Sequence, residues 1–99
     1  MNDVYRALSD PTRRRILAML RRTDMTAGEL QAKFVQSWPT ISAHLKVLRE
    51  ADLVQADRRG TTITYHLNVS LLEDAMRALM DAFHFAAGTR AGEAEDRPT

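Results

Sequence analysis

The chain contains no cysteine. That single absence removes disulfides, thiolate metal ligands, a cysteine nucleophile and thiol redox sensing together. Nor does any apolar run approach the roughly 18 residues needed to span a bilayer. The N-terminus also lacks a signal-peptide pattern, so no membrane insertion and a cytoplasmic location are expected. Glycine is scarce and scattered, at Gly28, Gly60, Gly88 and Gly92, which leaves no phosphate-cradling loop. Paired catalytic carboxylates and a nucleophile elbow are missing as well. Neither an enzyme nor a cofactor is expected.

What remains is an ordinary small globular composition. Of 99 residues, 44% are hydrophobic and 27% charged, which suits one domain with a modest core. The net charge of +1 hides an asymmetry. Residues 1–66 hold eleven Lys/Arg against seven Asp/Glu, whereas residues 67–99 hold three against six. Basic charge therefore gathers in the first two thirds, which is weak evidence for a nucleic-acid partner by itself.

The stretch Ser37 to Ala51, SWPTISAHLKVLREA, organises the rest. Ser37 can cap a helix, and Pro39 follows where a missing N–H costs nothing. Ile41, Leu45 and Leu48 recur at i, i+4 and i+7 and give one side to a core. The opposite side is short and polar: Thr40, Ser42, Ala43 and Lys46, with Pro39 beside them. Such a face can approach a surface closely and offer donors to base edges and phosphates, although a solvated helix face has the same pattern.

The remaining elements follow from caps and periods. Residues 2–8 form a short helix with Val4, Tyr5 and Leu8 on one side. Asp10 and Pro11 then restart the chain as N-cap and N1 of a helix reaching about Arg22, buried through Ile16, Leu17 and Leu20. Arg13, Arg14 and Arg15 crowd its first turns against the macrodipole, which suggests a partner or internal carboxylates, with a structural ion pair for at least one. Thr23 to Met25 is a connector. Thr26 to Glu29 has the spacing of a capping box and opens a helix to about Phe34. The short link 35–37 leads into the central helix, a helix-turn-helix arrangement. After Ala51 the period changes to two: strands are expected at 53–57 and 62–67, joined through a tip of Arg58, Arg59, Gly60 and Thr61. A basic hairpin placed there is a wing suited to gripping phosphates.

Ser70 to Glu73 reads as a second capping box, opening a helix to about Ala87. Its apolar stripe of Leu72, Met76, Leu79 and Phe83 is widened by Leu71, Ala75, Met80 and Ala82. Together with the face of residues 4–8, this exceeds what one small domain can bury. A two-fold homodimer through the first and last helices is expected, with Val4, Tyr5, Leu8, Leu72, Met76, Leu79, Met80 and Phe83 at its interface. The domain is expected to span residues 1–87, followed by a disordered tail at 88–99.

The runs ALSDPTRRRILAML, TAGEL and SWPTISAHLKVLREADLV resemble the ArsR/SmtB family of winged-helix repressors, and DMTAGEL resembles its SdpR-like autorepressor branch. The resemblance spans residues 2 to about 85. It implies a mainly helical winged helix-turn-helix of five helices, with a β-hairpin between the fourth and fifth. It also implies a homodimer that represses transcription from a palindromic operator on double-stranded DNA, often its own promoter. Carried onto matching positions, the base-reading residues would be Trp38, Pro39, Ser42 and Ala43 on a recognition helix 38–51. Thr40, His44 and Lys46 would support them, and Arg58, Arg59 and Thr61 would form the wing at 57–62.

Some positions depart from the pattern. Relatives often carry other residues where Trp38, Pro39 and Ala43 stand, so the operator sequence cannot be borrowed. Trp38 lies toward the core side, leaving packing and DNA contact both open. His44 flanks the core stripe, where a structural histidine is expected before a base reader. The resemblance also raises metal sensing. The helix before the turn, ELQAKF, offers no thiolate, and on the last helix Met76 and Ala87 replace two of four ligands, so no metal site is expected. Asp81 and His84 then read as a solvated or capping pair. Two alternatives stay open: a winged-helix protein-interaction module, and a metal sensor with a non-standard site. An inducer, protein or small molecule, is left unidentified.

Overall fold

A computed structural model describes residues 2–84. In chain order it holds α1 (Asn2–Leu8), α2 (Pro11–Arg22), β1 (Met25–Thr26), α3 (Ala27–Gln31), α4 (Trp38–Glu50), β2 (Val54–Arg59), β3 (Thr62–Leu67) and α5 (Val69–Ala82). This is the expected winged helix-turn-helix with one strand added. β1 occupies part of the expected connector and pairs antiparallel with β3, Met25 opposite Tyr65, so the sheet order is β1-β3-β2. Two residues are too few to show a period, and only the pairing reveals the strand.

One core unites these elements. Ile16, Leu17 and Leu20 of α2 meet Leu30, Phe34, Ile41, Leu45 and Leu48, and the sheet adds Val54 and Tyr65. Val4 and Ala7 seal it from α1. Val4 is only 5% exposed, so it belongs to the core of its own chain and is removed from the expected dimer face.

The caps explain where each helix starts and stops. Asp10 is the N-cap of α2, its carboxylate accepting from the Arg13 N–H at 3.0 Å. The three arginines that follow, expected to serve a partner or internal carboxylates, find carbonyls of their own chain. Arg13 donates through Nε to Ala7 O at 2.8 Å and through Nη2 to Arg6 O at 3.1 Å, while Arg14 donates to Leu8 O at 2.8 Å. These oxygens lie at the C-terminus of α1, the negative end of its dipole. The cost of crowding cations on the N-terminus of α2 is thus offset by the helix before it.

Elsewhere the boundaries shift. Thr26 and Glu29 form the expected capping box, but α3 ends at Gln31, before the expected Phe34. The chain continues in i, i+3 turns, Lys33 to Leu30 and Phe34 to Gln31, which keep Phe34 in the core. Ser37 stands at the N-cap of α4 without a side-chain bond to the backbone; its hydroxyl lies 3.3 Å from that of Thr40. At the other end Asp52 takes φ 63. Leu53 N–H bonds to Leu48 O and Asp52 N–H to Arg49 O, a left-handed stop closed by the buried pair Leu48 and Leu53.

α5 is capped by Asn68, whose side chain accepts from Leu71 N–H at 3.3 Å, so Ser70 lies inside the helix and the expected capping box is not used. Its described end is Ala82, because His84 turns left-handed with φ 58. The expected continuation to Ala87 and the expected tail lie outside the described residues.

The Asp10 cap has a pH signature. The Arg13 N–H bond, helped by the charges of His44 and Arg13, holds its carboxyl below the ordinary 3.8. A folded-state value below the unfolded one adds stability that is complete above that pH and fades as pH falls through the folded value. Asp10→Ala is expected to lower unfolding free energy at pH 7 by about 1 kcal/mol. Asp10→Asn should keep the cap but lose its share of the acid-side decline. Urea denaturation across pH 2–7 reads both.

Candidate nucleic-acid interface

The outer face of α4 follows from its buried one. Ile41, Leu45 and Leu48 are at most 1% exposed, which turns Pro39, Thr40, Ala43 and Lys46 outward and leaves Ser42 half-buried on the flank. Small side chains at 39, 42 and 43 keep this face low, and Lys46 supplies a cation one turn further on.

The entry to α4 is braced from α2. Gln36 Nε2 donates to Thr12 Oγ1 at 3.3 Å, and Gln31 Nε2 donates to Gln36 O at 3.2 Å. Arg15 donates to Lys33 O at 3.0 Å and stands 4.6 Å from the centroid of the Phe34 ring. That cation–π contact and hydrogen bond pin the turn by both its backbone and its buried aromatic.

Two residues expected among the DNA contacts are turned toward the protein. Trp38 is half-buried and packs against the core, the first of its two open placements. His44 is 20% exposed at its side chain, with Nδ1 3.3 Å from Arg13 Nη1 and 3.8 Å from Asp10 Oδ2. It sits in the structural role expected of the flank of a core stripe.

The wing is tighter than expected. Arg58 and Arg59 are the last residues of β2, paired with Ile63 and Thr62, so only Gly60 and Thr61 form the tip. Gly60 has φ 61, and the first loop position of a II′ hairpin favours glycine. Arg58, Arg59 and Thr61 are all exposed. As neighbours on a strand the two arginines point to opposite faces of the ribbon. His66 Nε2 lies 3.7 Å from Asp57 Oδ2 and ties the two strands below the tip.

The first half of α5 packs against the core through Leu71, Leu72 and Ala75. Beyond them Met76, Met80 and Phe83 are 47%, 46% and 63% exposed. Leu72 and Leu79 are half-buried, as are Tyr5 and Leu8 on α1. Among the described residues no group of three or more His, Asp or Glu lies close enough to hold a metal ion. Asp81 and His84 meet through the helix-ending bond from His84 N–H to Asp81 O.

Sequence reasoning passed over the bracing residues. The side-chain partners of Arg13 lie six, seven and 31 residues away, and spacing along one helix carries no trace of them. Arg49 was also passed over, although it stands three residues after Lys46; both line a recess of about 530 Å³ between α4 and β2.

With this geometry in view, the relatives of the chain are informative. Residues 10–56 match the family described as "Bacterial regulatory protein, arsR family". The transcriptional repressor SdpR of Bacillus subtilis is 43% identical over 81 residues, covering 82% of this chain and 90% of that one. The HTH-type transcriptional regulator KmtR of Mycobacterium tuberculosis is 37% identical over 87 residues, 87% of this chain and 67% of its own. Among solved structures, an ArsR-like transcriptional regulator from Rhodococcus superposes with a TM-score of 0.74 at 31% identity, over 94% of this chain and 90% of that one.

The wing tip offers a direct stability test. A Cβ at Gly60 would meet no atom within 4 Å, so any cost of substitution is conformational. Gly60→Ala is expected to destabilise the fold by about 1 kcal/mol, and Gly60→Asn by less, in paired urea titrations.

Proposed function

The chain belongs to the ArsR family of bacterial regulatory proteins and is a DNA-binding transcriptional repressor; we propose that it acts as a homodimer on a palindromic operator, with its own promoter as a target. The observation that carries this reading is the exposed, short-chained polar face of α4, flanked by the exposed arginines of the wing. Pro39, Thr40, Ser42 and Ala43 read base edges in the major groove. Ser42 offers a hydroxyl, and Ala43 offers only apolar contact, as to a thymine methyl. Lys46, Arg58, Arg59 and Thr61 hold the phosphates on either side and carry no sequence information themselves.

The half-exposed apolar face of α5 supports the dimer. Met76, Met80 and Phe83 on α5, with the half-buried Leu72 and Leu79 and with Tyr5 and Leu8 on α1, are apolar residues of the kind that isologous pairing buries. A two-fold axis through α1 and α5 sets the two α4 helices in successive major grooves, about 34 Å apart. Occupying that length of duplex excludes polymerase. Among the described residues no helix is long and apolar enough to cross a membrane, and the cytoplasm, where the duplex is, is the proposed site of action.

Two substitutions separate reading from gripping on duplexes selected from a random pool and on the chain's own upstream DNA. Arg59→Ala should weaken all sequences alike and, by removing one phosphate contact from each protomer, make the salt dependence shallower by about two units of slope. Ser42→Ala should change the ranking among selected duplexes. Equal, sequence-blind losses from both would remove Ser42 from the reading face. Met80→Glu should convert the dimer to monomer in sedimentation and weaken the full palindrome on the order of a hundredfold. A Met80→Glu protein that stays dimeric would contradict the α5 interface.

A further inference from the structure

Arg13 is placed to do more than cap a helix. Its guanidinium reaches three acceptors on two other helices: Ala7 O at 2.8 Å and Arg6 O at 3.1 Å on α1, and His44 Nδ1 at 3.3 Å on α4. Its own backbone N–H is held by Asp10 at 3.0 Å. A guanidinium has donors only, so the contact with His44 is favourable when Nδ1 accepts and the ring proton sits on Nε2. Resting on the proposed dimer and reading helix, we infer that Arg13 and His44 are positioning residues: they lock α4 to α1 and thereby set the separation of the two reading helices in the dimer.

The seam between α1 and α4 explains why hydrogen bonds have this task. At its Arg13 end the seam is closed by the bonds above, with Ala7 fully buried. At the other end it opens into a recess of about 170 Å³ lined by Asp3 and Arg6 of α1 and Val47 and Glu50 of α4. Three of these four residues are charged, and only Val47 packs against the core. Apolar burial on the Ile41, Leu45 and Leu48 stripe fixes which face of α4 is inward. It constrains rocking along the α1 seam less, because beyond Val4 the far end of that seam is edged by the charged side chains of Asp3, Arg6 and Glu50. A directional, three-way bond at one end sets the angle instead.

The angle matters because α1 belongs to the proposed dimer face and α4 to the proposed reading face. Two rigidly held α4 helices demand one half-site spacing, and two loosely held ones accept several. His44 thus serves operator recognition without touching DNA. Arg13 is suited to this because its planar fork spans acceptors that a lysine ammonium, one point donor on a flexible stem, cannot hold together.

The test uses the full chain on three duplexes: one selected by the wild-type protein from a random pool, and two in which the half-sites are moved apart by one and two base pairs. Wild type should lose about tenfold in affinity on the altered spacings. His44→Leu, which removes the acceptor and leaves the α1 bonds of Arg13 in place, should bind the selected duplex more weakly and lose that discrimination, binding the three duplexes within about threefold of one another. His44→Gln, which restores an acceptor, should recover it. Arg13→Lys should flatten the preference as His44→Leu does, and it serves as the readout if His44→Leu fails to fold. Sedimentation should find every variant dimeric.

A merely structural role would lower melting temperature and affinity while leaving the spacing preference intact. That pattern in folded, dimeric His44→Leu or Arg13→Lys would overturn the inference. A wild-type protein that prefers no duplex over scrambled DNA, or that sediments as a monomer, would overturn the functional reading beneath it and the inference with it.

Discussion

Burial of Ile41, Leu45 and Leu48 against α2 is the constraint from which the rest follows. Each of these side chains is worth roughly 1.5–3 kcal/mol when taken fully out of water, and all three lie on one stripe of one helix. No rotation of α4 about its axis keeps that burial and hides the polar residues opposite. Pro39, Thr40, Ala43 and Lys46 are therefore displayed as the direct consequence of what is buried. The interaction surface and the core are two sides of the same 13-residue helix.

The charged residues divide between holding this arrangement and facing outward from it. Arg13, Arg14 and Arg15 sit at the junction of α1, α2 and the α3–α4 turn, where they donate to carbonyls at the end of α1 and in the turn. They direct their guanidinium donors to carbonyls of their own chain, and Arg15 also lies against an aromatic ring. Arg58 and Arg59 have the opposite situation: exposed at the end of β2, each on its own side of the ribbon. A count of basic residues over the first two thirds of the chain mixes these populations, and Arg58 and Arg59, with Lys46 on α4, are the ones turned toward a phosphate backbone.

Much of this was legible beforehand, and the exceptions have a common cause. α2, α4 and β3 were readable because each shows its period over several turns or pairs, and Asp10 with Pro11 marks a start that no other reading explains. β1 was missed because Met25 and Thr26 are a strand only by virtue of Tyr65 and Thr64 across from them. The cap of α5 fell on Asn68 and not Ser70 because Asn68 also donates to Asp52 O at 3.0 Å, tying the start of α5 to the end of α4. The arginines were expected to serve a partner or internal carboxylates, yet Arg13 and Arg14 reach carbonyls of α1 and Arg15 the Lys33 carbonyl. In the site, the outward face of α4 and the wing arginines could be read from spacing. The inward turn of Trp38 and the hold of Arg13 on His44 depend on which helices cross, and local patterns do not encode a crossing.

The central claim is that the outer face of α4 and the wing together meet a DNA duplex. Fluorescence anisotropy on a duplex selected from a random pool, against a scrambled duplex of equal length and over a range of salt concentrations, tests it most directly. With on the order of eight phosphate contacts per dimer, log K should fall against log salt with a slope near −7, and the selected duplex should bind tighter throughout. Affinity that is indifferent both to salt and to sequence would contradict the claim.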